Sequence, residues 1–258
     1  MLLYNRRRAR EGAVFRHQHT MRIAIISDIH SNIDALNAVL KDIKSRAIEE
    51  VFSTGDLVGY LPYPNEVINT FVANDVQSIQ GNHDLAIVEA PPVDKKSLAT
   101  LTPLDLQKSA SRVYTLTTIS EENKAYLEAL PETIEIEMDG VMIALVHGSP
   151  DRNDEYLYED SERLEAIAKT MVADVLVFGH THVPFHKVVN KKHFVNAGSV
   201  GKPKHGNPNS TYVIIETQDG KVQVEVVEVP YDAAPICKKI IEEPYIADNL
   251  AEALRLGQ

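Results

Sequence analysis

A chain of 258 residues and 28.7 kDa with 26 Lys and Arg against 37 Asp and Glu carries −11 at neutral pH, with an isoelectric point near 5.4. That balance excludes a protein that grips nucleic acid through counterion release from a broad basic face, and no apolar stretch approaches the 18 residues of a membrane-spanning helix. Cys237 is the only cysteine, which rules out an internal disulfide and a thiolate zinc cluster and fits a reducing, cytoplasmic location.

Residues 1–20 stand apart. Arg6, Arg7, Arg8, Arg10 and Arg16 face one acid, Glu11, so this stretch carries +4 and residues 21–258 carry −15. It lacks the apolar segment of a signal peptide. The expectation is a disordered or over-extended N-terminus, with Met21 opening the functional chain and residues 21–258 forming a single domain.

From Met21 the pattern alternates strand and helix. Residues 23–26 (IAII) form a short apolar run, as in a strand covered on both faces. Leu36, Val39, Leu40 and Ile43 follow at helical spacing, with Ser31 or Asn32 placed to cap. Residues 51–53 are the next strand, ending at Thr54-Gly55-Asp56. A helix of about ten residues begins near Asn65, burying Val67, Ile68 and Phe71. A strand over 76–79 then runs into Gly81-Asn82-His83-Asp84. This βαβαβ order predicts a layered α/β domain.

Residues 85–131 read as a helical insertion. One helix runs from Thr102-Pro103 to about Thr115, and another from Ser120 to before Pro131. Strands over 133–137 and 141–146 follow, joined by the hairpin turn Asp139-Gly140. Leu164, Ile167, Ala168 and Met171 mark a helix, and residues 175–178 a buried strand. Strands then alternate to about Val229, with Asp219-Gly220 as a turn, and the chain ends helical.

The chemistry-bearing residues fall at strand ends. Asp28 and His30 follow the first strand, Asp56 the second, and Asn82 and His83 the third. His147 follows the strand after the hairpin, and His180 with His182 the next. Ligands of open α/β sheets collect beyond the carboxyl ends of strands, where successive loops converge. Asp28/His30 and His180/His182 are each spaced i, i+2, which points both side chains one way if the strand end is extended. Imidazole, carboxylate and amide oxygens without thiolate suit Mn²⁺, Fe²⁺, Zn²⁺, Ni²⁺ or Co²⁺. Seven candidate ligands exceed one tetrahedral site and imply two ions sharing a carboxylate.

The segments DIH (28–30), GD (55–56), GNHD (81–84), VHG (146–148) and GHTH (179–182), in this order, resemble the calcineurin-like metallophosphoesterases. DIHSN, GDLVGY with PYPNEVI, and NAGSVGKPKHGNP are similar to the small prokaryotic predicted phosphodiesterases of that family. The resemblance runs from Met21 to about Val229. It implies a layered β-sandwich flanked by helices, with manganese the favoured ion. One ion would be held by Asp28, His30, Asp56 and His182, and a second by Asp56, Asn82, His147 and His180. His83 corresponds to the family's non-ligand histidine beside the scissile group, with Asp84 as its orienting carboxylate. The implied reaction is attack on phosphorus by a metal-bridging hydroxide, in a small-molecule phosphate ester, a diester first and a monoester as the alternative.

Two rival functions share this fold. A Ser/Thr protein phosphatase would carry arginines beside the motifs, where this chain has Leu57 and Leu85. A binding scaffold would have lost ligands, and here all seven positions and His83 are intact. Outside the motifs, His17 and His19 read as tail, His186 and His193 as ordinary strand or loop residues, and His205 as loop. Lys202 and Lys204 read as solvated surface lysines, Arg152 and Asn153 as weak substrate candidates, and Cys237 as packing. Substrate choice is expected to reside in the 85–131 insertion and in the loops after His147 and Asn196. Self-association of the chain into a homo-oligomer stays open.

Overall fold

A computed structural model describes residues 13–17, 22–91, 93, 94, 96, 100, 102 and 110–258. The chain begins with β1 (Ala13–His17), followed by β2 (Arg22–Ile26), α1 (Ile33–Ser45), β3 (Glu50–Ser53), α2 (Pro64–Ala73), β4 (Gln77–Ser78) and α3 (Asn82–Val88). Next come α4 (Ala110–Thr118), α5 (Glu121–Glu128), the hairpin β5 (Ile134–Met138) and β6 (Val141–Leu145), α6 (Arg163–Thr170) and β7 (Val175–Phe178). The hairpins β8 (Phe185–Val189) with β9 (Lys192–Asn196) and β10 (Ser210–Gln218) with β11 (Lys221–Val229) precede α7 (Ala234–Glu242) and α8 (Asn249–Leu256).

Two sheets stack face to face. One runs β11-β10-β2-β3-β4, with β2, β3 and β4 parallel. The other runs β5-β6-β7-β9-β8, and β1 adds a sixth strand at its edge, parallel to β5. The apolar run of β2 is explained by alternation between two cores. Ile23 and Ile25 point between the sheets with Val213, Ile215, Ile143 and Val177, whereas Ala24 and Ile26 face α1 and α2. In the second sheet, Val175 and Val177 join the inter-sheet core while Leu176 and Phe178 pack under Leu164 and Ile167 of α6. The result is a helix–sheet–sheet–helix stack, the architecture expected from the motif order.

Local signals account for most boundaries. The Asn32 side chain accepts from the Ala35 N–H and caps α1, Pro64 opens α2, and Ser120 caps α5. Asp139-Gly140 and Asp219-Gly220 both take left-handed backbone, as their two-residue hairpins require.

Three expectations need correction. Within the stretch expected to be disordered, residues 13–17 form β1, whose strand pairing the Arg-rich composition does not signal; the remainder of 1–20, His19 included, lies outside the described residues. The expected start of the helix at Thr102-Pro103 also falls largely outside the described residues, and α4 ends at Thr118 rather than near Thr115. Asn82-His83-Asp84, read as the loop closing a strand, instead forms the first turn of α3, with Gly81 at its cap. Among the described residues no helix is long and apolar enough to cross a membrane.

Candidate metal centre

The parallel strands β2, β3 and β4 end side by side, and their loops are tied together by the backbone. Asp28 N–H donates to Gly55 O at 3.0 Å, Ile29 and His30 N–H to Asp56 O at 2.9 and 3.0 Å, and Ser31 N–H to Leu57 O at 2.9 Å. The ends of β6 and β7 arrive from the second sheet and bring His147 and His180. The i, i+2 pairs do not work by simple strand alternation. Asp28, His30, Asp56, His180 and His182 all have positive φ, between 48° and 63°. Left-handed backbone costs free energy for most residues but least for Asn, Asp and His among non-glycines. These turns therefore swing the side chains inward where an extended continuation would carry the chain past the site.

Seven of the expected residues converge in two groups. In the first, Asp28 Oδ1 lies 3.1 Å from His182 Nε2 and 3.5 Å from His30 Nε2, and those two nitrogens are 3.1 Å apart. In the second, His147 Nε2 lies 2.9 Å from Asn82 Oδ1 and 3.3 Å from Asp56 Oδ2, with His180 beside it at a ring-centroid distance of 5.1 Å. Asp56 Oδ2 faces both groups, being also 3.7 Å from His30 Nε2. The ligand atoms of Asp28, His30 and His182 lie within 4.8 Å of one another, as do those of Asp56, His147 and His180.

Five of these candidate ligands are held by their other atom. His30, His147 and His182 direct Nδ1 to the backbone carbonyls of Val58, Thr54 and Lys202 at 3.2, 2.8 and 2.5 Å. Donation from Nδ1 leaves the Nε2 lone pair facing inward, the usual outer support of a metal-binding imidazole. Asp28 Oδ2 accepts from Ser27 Oγ at 2.5 Å and from the His180 N–H at 2.9 Å, while Asp56 Oδ1 accepts from the His83 N–H at 2.8 Å. Thr54 Oγ1 donates to Ser27 Oγ at 2.6 Å and extends this chain. Ser27 and Thr54 were not singled out from the sequence, since a Ser beside an Asp has no signature of its own.

The inward atoms include buried acceptors left without a donor. Asp28 Oδ1 and His180 Nε2 are buried yet have no hydrogen-bond partner among the described residues. Burial drives His30 down to about 3, against the pull of Asp28 and Asp56. Burial and the neighbouring His147 take His180 down to about 4. For His147 burial also acts downward, but the charge of Asp56 and a hydrogen bond to it prevail and raise the group to about 9. Asp28 and Asp56 are each raised by burial but held low overall, chiefly by His182 for Asp28 and by His147 for Asp56. Buried lone pairs converging on two anionic oxygens fit a divalent cation in each group, because a cation satisfies all of them at once.

His83 is half-buried between the groups. Its ring stands 4.9 Å from that of His30 and 4.6 Å from that of Tyr60, and it also comes within ligand distance of His30 and Asp56. The orienting role expected of Asp84 needs correction. Its fully buried carboxylate accepts from the N–H groups of Leu57, Val58 and Gly81 at 2.9–3.2 Å, and among the described residues no hydrogen bond joins it to the His83 ring. It clamps the Asp56 loop to the start of α3. Burial, with the Asp56 charge, pushes it up to about 7 against those three donors.

Gly179 and Gly81 allow close approaches. A Cβ on Gly179 would lie 1.9 Å from Ser27 Oγ and 2.3 Å from Asp28 Oδ2, and one on Gly81 would lie 2.1 Å from Asp56 Oδ1. Only glycine fits either position.

Other residues fall differently from expectation. Lys202 is not solvated. It is 8% exposed, its ammonium sits 5.4 Å above the Tyr60 ring, and it donates to Gln258 O at 3.3 Å. Burial brings it down to about 8. Lys204 is partly buried and feels the charges of Asp28 and Asp56. Arg152 pairs with Asp154 at the surface, and Asn153 reaches Gln80 O at 3.5 Å. His186 and His193 pair with each other across β8 and β9 at 3.0 Å, as strand residues. Cys237 is buried under α8, as expected of packing.

A model of the calcineurin-like phosphoesterase superfamily domain matches residues 21–220, and the chain belongs to this family. It is 32% identical over 253 residues to an uncharacterized protein of Methanocaldococcus jannaschii, covering 92% of this chain and 98% of the relative. The crystal structure of a metallophosphoesterase from Sphaerobacter thermophilus superposes with a TM-score of 0.75 at 27% identity, covering 93% of this chain and all of that one. A hypothetical protein from Pyrococcus horikoshii gives a TM-score of 0.81 at 26% identity, over 92% of this chain and 99% of that one. Membership implies a phosphoric ester hydrolase with divalent metal at the His/Asp clusters.

Proposed function

We propose that the protein hydrolyses phosphodiester bonds in small molecules, in the cytoplasm, with two divalent transition-metal ions, manganese being favoured. Asp28, His30, Asp56 and His182 would hold one ion, and Asp56, Asn82, His147 and His180 the other. The observation that carries this reading is Asp56 Oδ2, which faces His30 on one side and His147 on the other while Oδ1 is fixed by the His83 N–H. When bound, such a pair of ions supplies Lewis acidity toward the phosphoryl oxygens and an activated water as nucleophile.

The chain's own residues supply the rest. His83 is placed to donate a hydrogen bond to a phosphoryl or leaving-group oxygen, where charge grows in the transition state. The carbonyls of Val58, Thr54 and Lys202 keep three imidazoles in one tautomer and orientation, so little reorganisation accompanies the reaction.

The test is hydrolysis of bis-p-nitrophenyl phosphate by the full chain, combined with elemental analysis. Exhaustive EDTA treatment is expected to abolish activity, and added Mn²⁺ to restore it with two equivalents bound. Activity that survives chelation, or saturation at one equivalent, overturns the two-ion reading.

A further inference from the structure

Beside the metal centre, the loop after His147 carries two tyrosines that no part of the proposed hydrolysis uses. Tyr156 and Tyr158 are 53% and 47% exposed, whereas Tyr212 and Tyr114 are buried with their hydroxyls bonded to Asp42 Oδ2 and Pro62 O. Neither the Tyr156 nor the Tyr158 hydroxyl has a protein hydrogen-bond partner among the described residues. The two rings lie parallel within 8° at a centroid distance of 6.2 Å. The Tyr156 ring also packs at 4.2 Å on that of His180, an expected ligand. Tyr60 stands on the other flank, against His30 and His83, with the Lys202 ammonium above it. Aromatic faces therefore lead from solvent to both groups of ligands.

Exposed parallel rings held next to a reaction centre have an evident use. A planar π-system stacks on such faces over a large contact area, at small entropic cost because a tyrosine has few rotatable bonds. Bases are bound this way without sequence readout. The −11 charge speaks against a polymeric nucleic acid and leaves a ligand of one or two nucleotides. Resting on the phosphoesterase reading above, we infer that Tyr156 and Tyr158 form a stacking platform for the nucleobase of a nucleotide ester whose phosphate lies at the metal centre. They would thus determine specificity, and the chemistry would remain with His83 and the metal ligands.

The test separates base from phosphate, and binding from turnover. The non-hydrolysable phosphonate isostere of adenosine 5′-monophosphate and the same phosphonate on ribose without a base are titrated calorimetrically into Mn²⁺-loaded protein. Hydrolysis of bis-p-nitrophenyl phosphate is followed in parallel. The base-bearing ligand is expected to bind about 10-fold more tightly, an advantage lost in Tyr156→Ala and Tyr158→Ala and kept in Tyr156→Phe and Tyr158→Phe. Because Tyr156 touches His180, the Tyr158 variants separate lost stacking from a disturbed ligand, and bound Mn²⁺ is measured in every variant. Equal affinity for the two phosphonates, including no measurable binding of either, overturns the platform. So does a preference that survives both alanine variants. Absence of diester hydrolysis in the wild type, with the preference for the base-bearing phosphonate retained, would instead strike the phosphoesterase reading.

Discussion

Asp56 and His83 sit within hydrogen-bond reach of each other through the backbone, yet opposite consequences are expected from removing them. Asp56→Asn keeps a residue that tolerates the left-handed φ of 56°, so the turn should survive while the charge shared by the two groups disappears. Both ions are then expected to weaken by more than the ~10–100-fold typical of losing an outer hydrogen-bond partner; an unchanged stoichiometry of two by elemental analysis would count against a shared carboxylate. His83→Ala is expected to retain both ions and lower kcat by about 10²–10³, as for a lost transition-state donor. His83 also lies within ligand distance of His30 and Asp56, so metal content is the deciding measurement: if it falls with activity, His83 is a ligand. The candidate ligand set was legible in the sequence because five short motifs bearing Asp, Asn or His fall at strand ends, four of them beside a glycine. The stacking tyrosines were not, because an exposed tyrosine in an irregular loop has no pattern until its neighbours are known. Lys202 was misread for a related reason: a lysine in a Gly- and Pro-rich loop looks solvated until a tyrosine from a loop some 140 residues away covers it.

Among the elements, the turn of residues 55–58 depends most on a single side chain. Asp84 satisfies three buried N–H groups, those of Leu57, Val58 and Gly81, and leaving such groups unpaired costs ~1–3 kcal/mol each. Asp84→Ala is therefore expected to destabilise the protein by at least about 3 kcal/mol in urea unfolding and to loosen Asp56 with it. A loss below about 1 kcal/mol would mean that water satisfies those donors as well. Helix periodicity and capping residues located α1, α2, α5 and α6 within a few residues, since each buries one side, α5 against α2 and α3. The first turn of α3 escaped because Gly-Asn-His-Asp has the composition of a loop, and its helical form is stabilised by the reach of Asp84 back to Gly81, a contact made only after folding. Likewise β1 became visible only through its partner β5, whose edge it extends.

At the scale of the molecule, the two sheets are joined by the layer of Ile23, Ile25, Ile143, Val177 and Val213, and the ends of strands from both sheets bring candidate ligands to one site. We propose that residues 21–258 unfold as one body, with 85–131 as an insertion upon it. Ile25→Ala, at the centre of that layer, is expected to cost ~2–5 kcal/mol, with far-UV dichroism and tyrosine absorbance moving together in urea. Transitions that separate would mean the two sheets fold independently. The left-handed turns beneath the ligands also bear on how such a chain can change over generations. Five positions that suit Asp, Asn, His and Gly admit few replacements, and the easiest ones, Asp→Asn and His→Asn, retain the bend while discarding charge or imidazole. Because backbone bonds from Asp28, Ile29, His30 and Ser31 to the neighbouring loop lace the turns together whatever side chains they carry, a descendant can lose its chemistry and keep its shape. The architecture thereby gives evolution a short path from hydrolase to recognition surface, with no unfolded chain along the way.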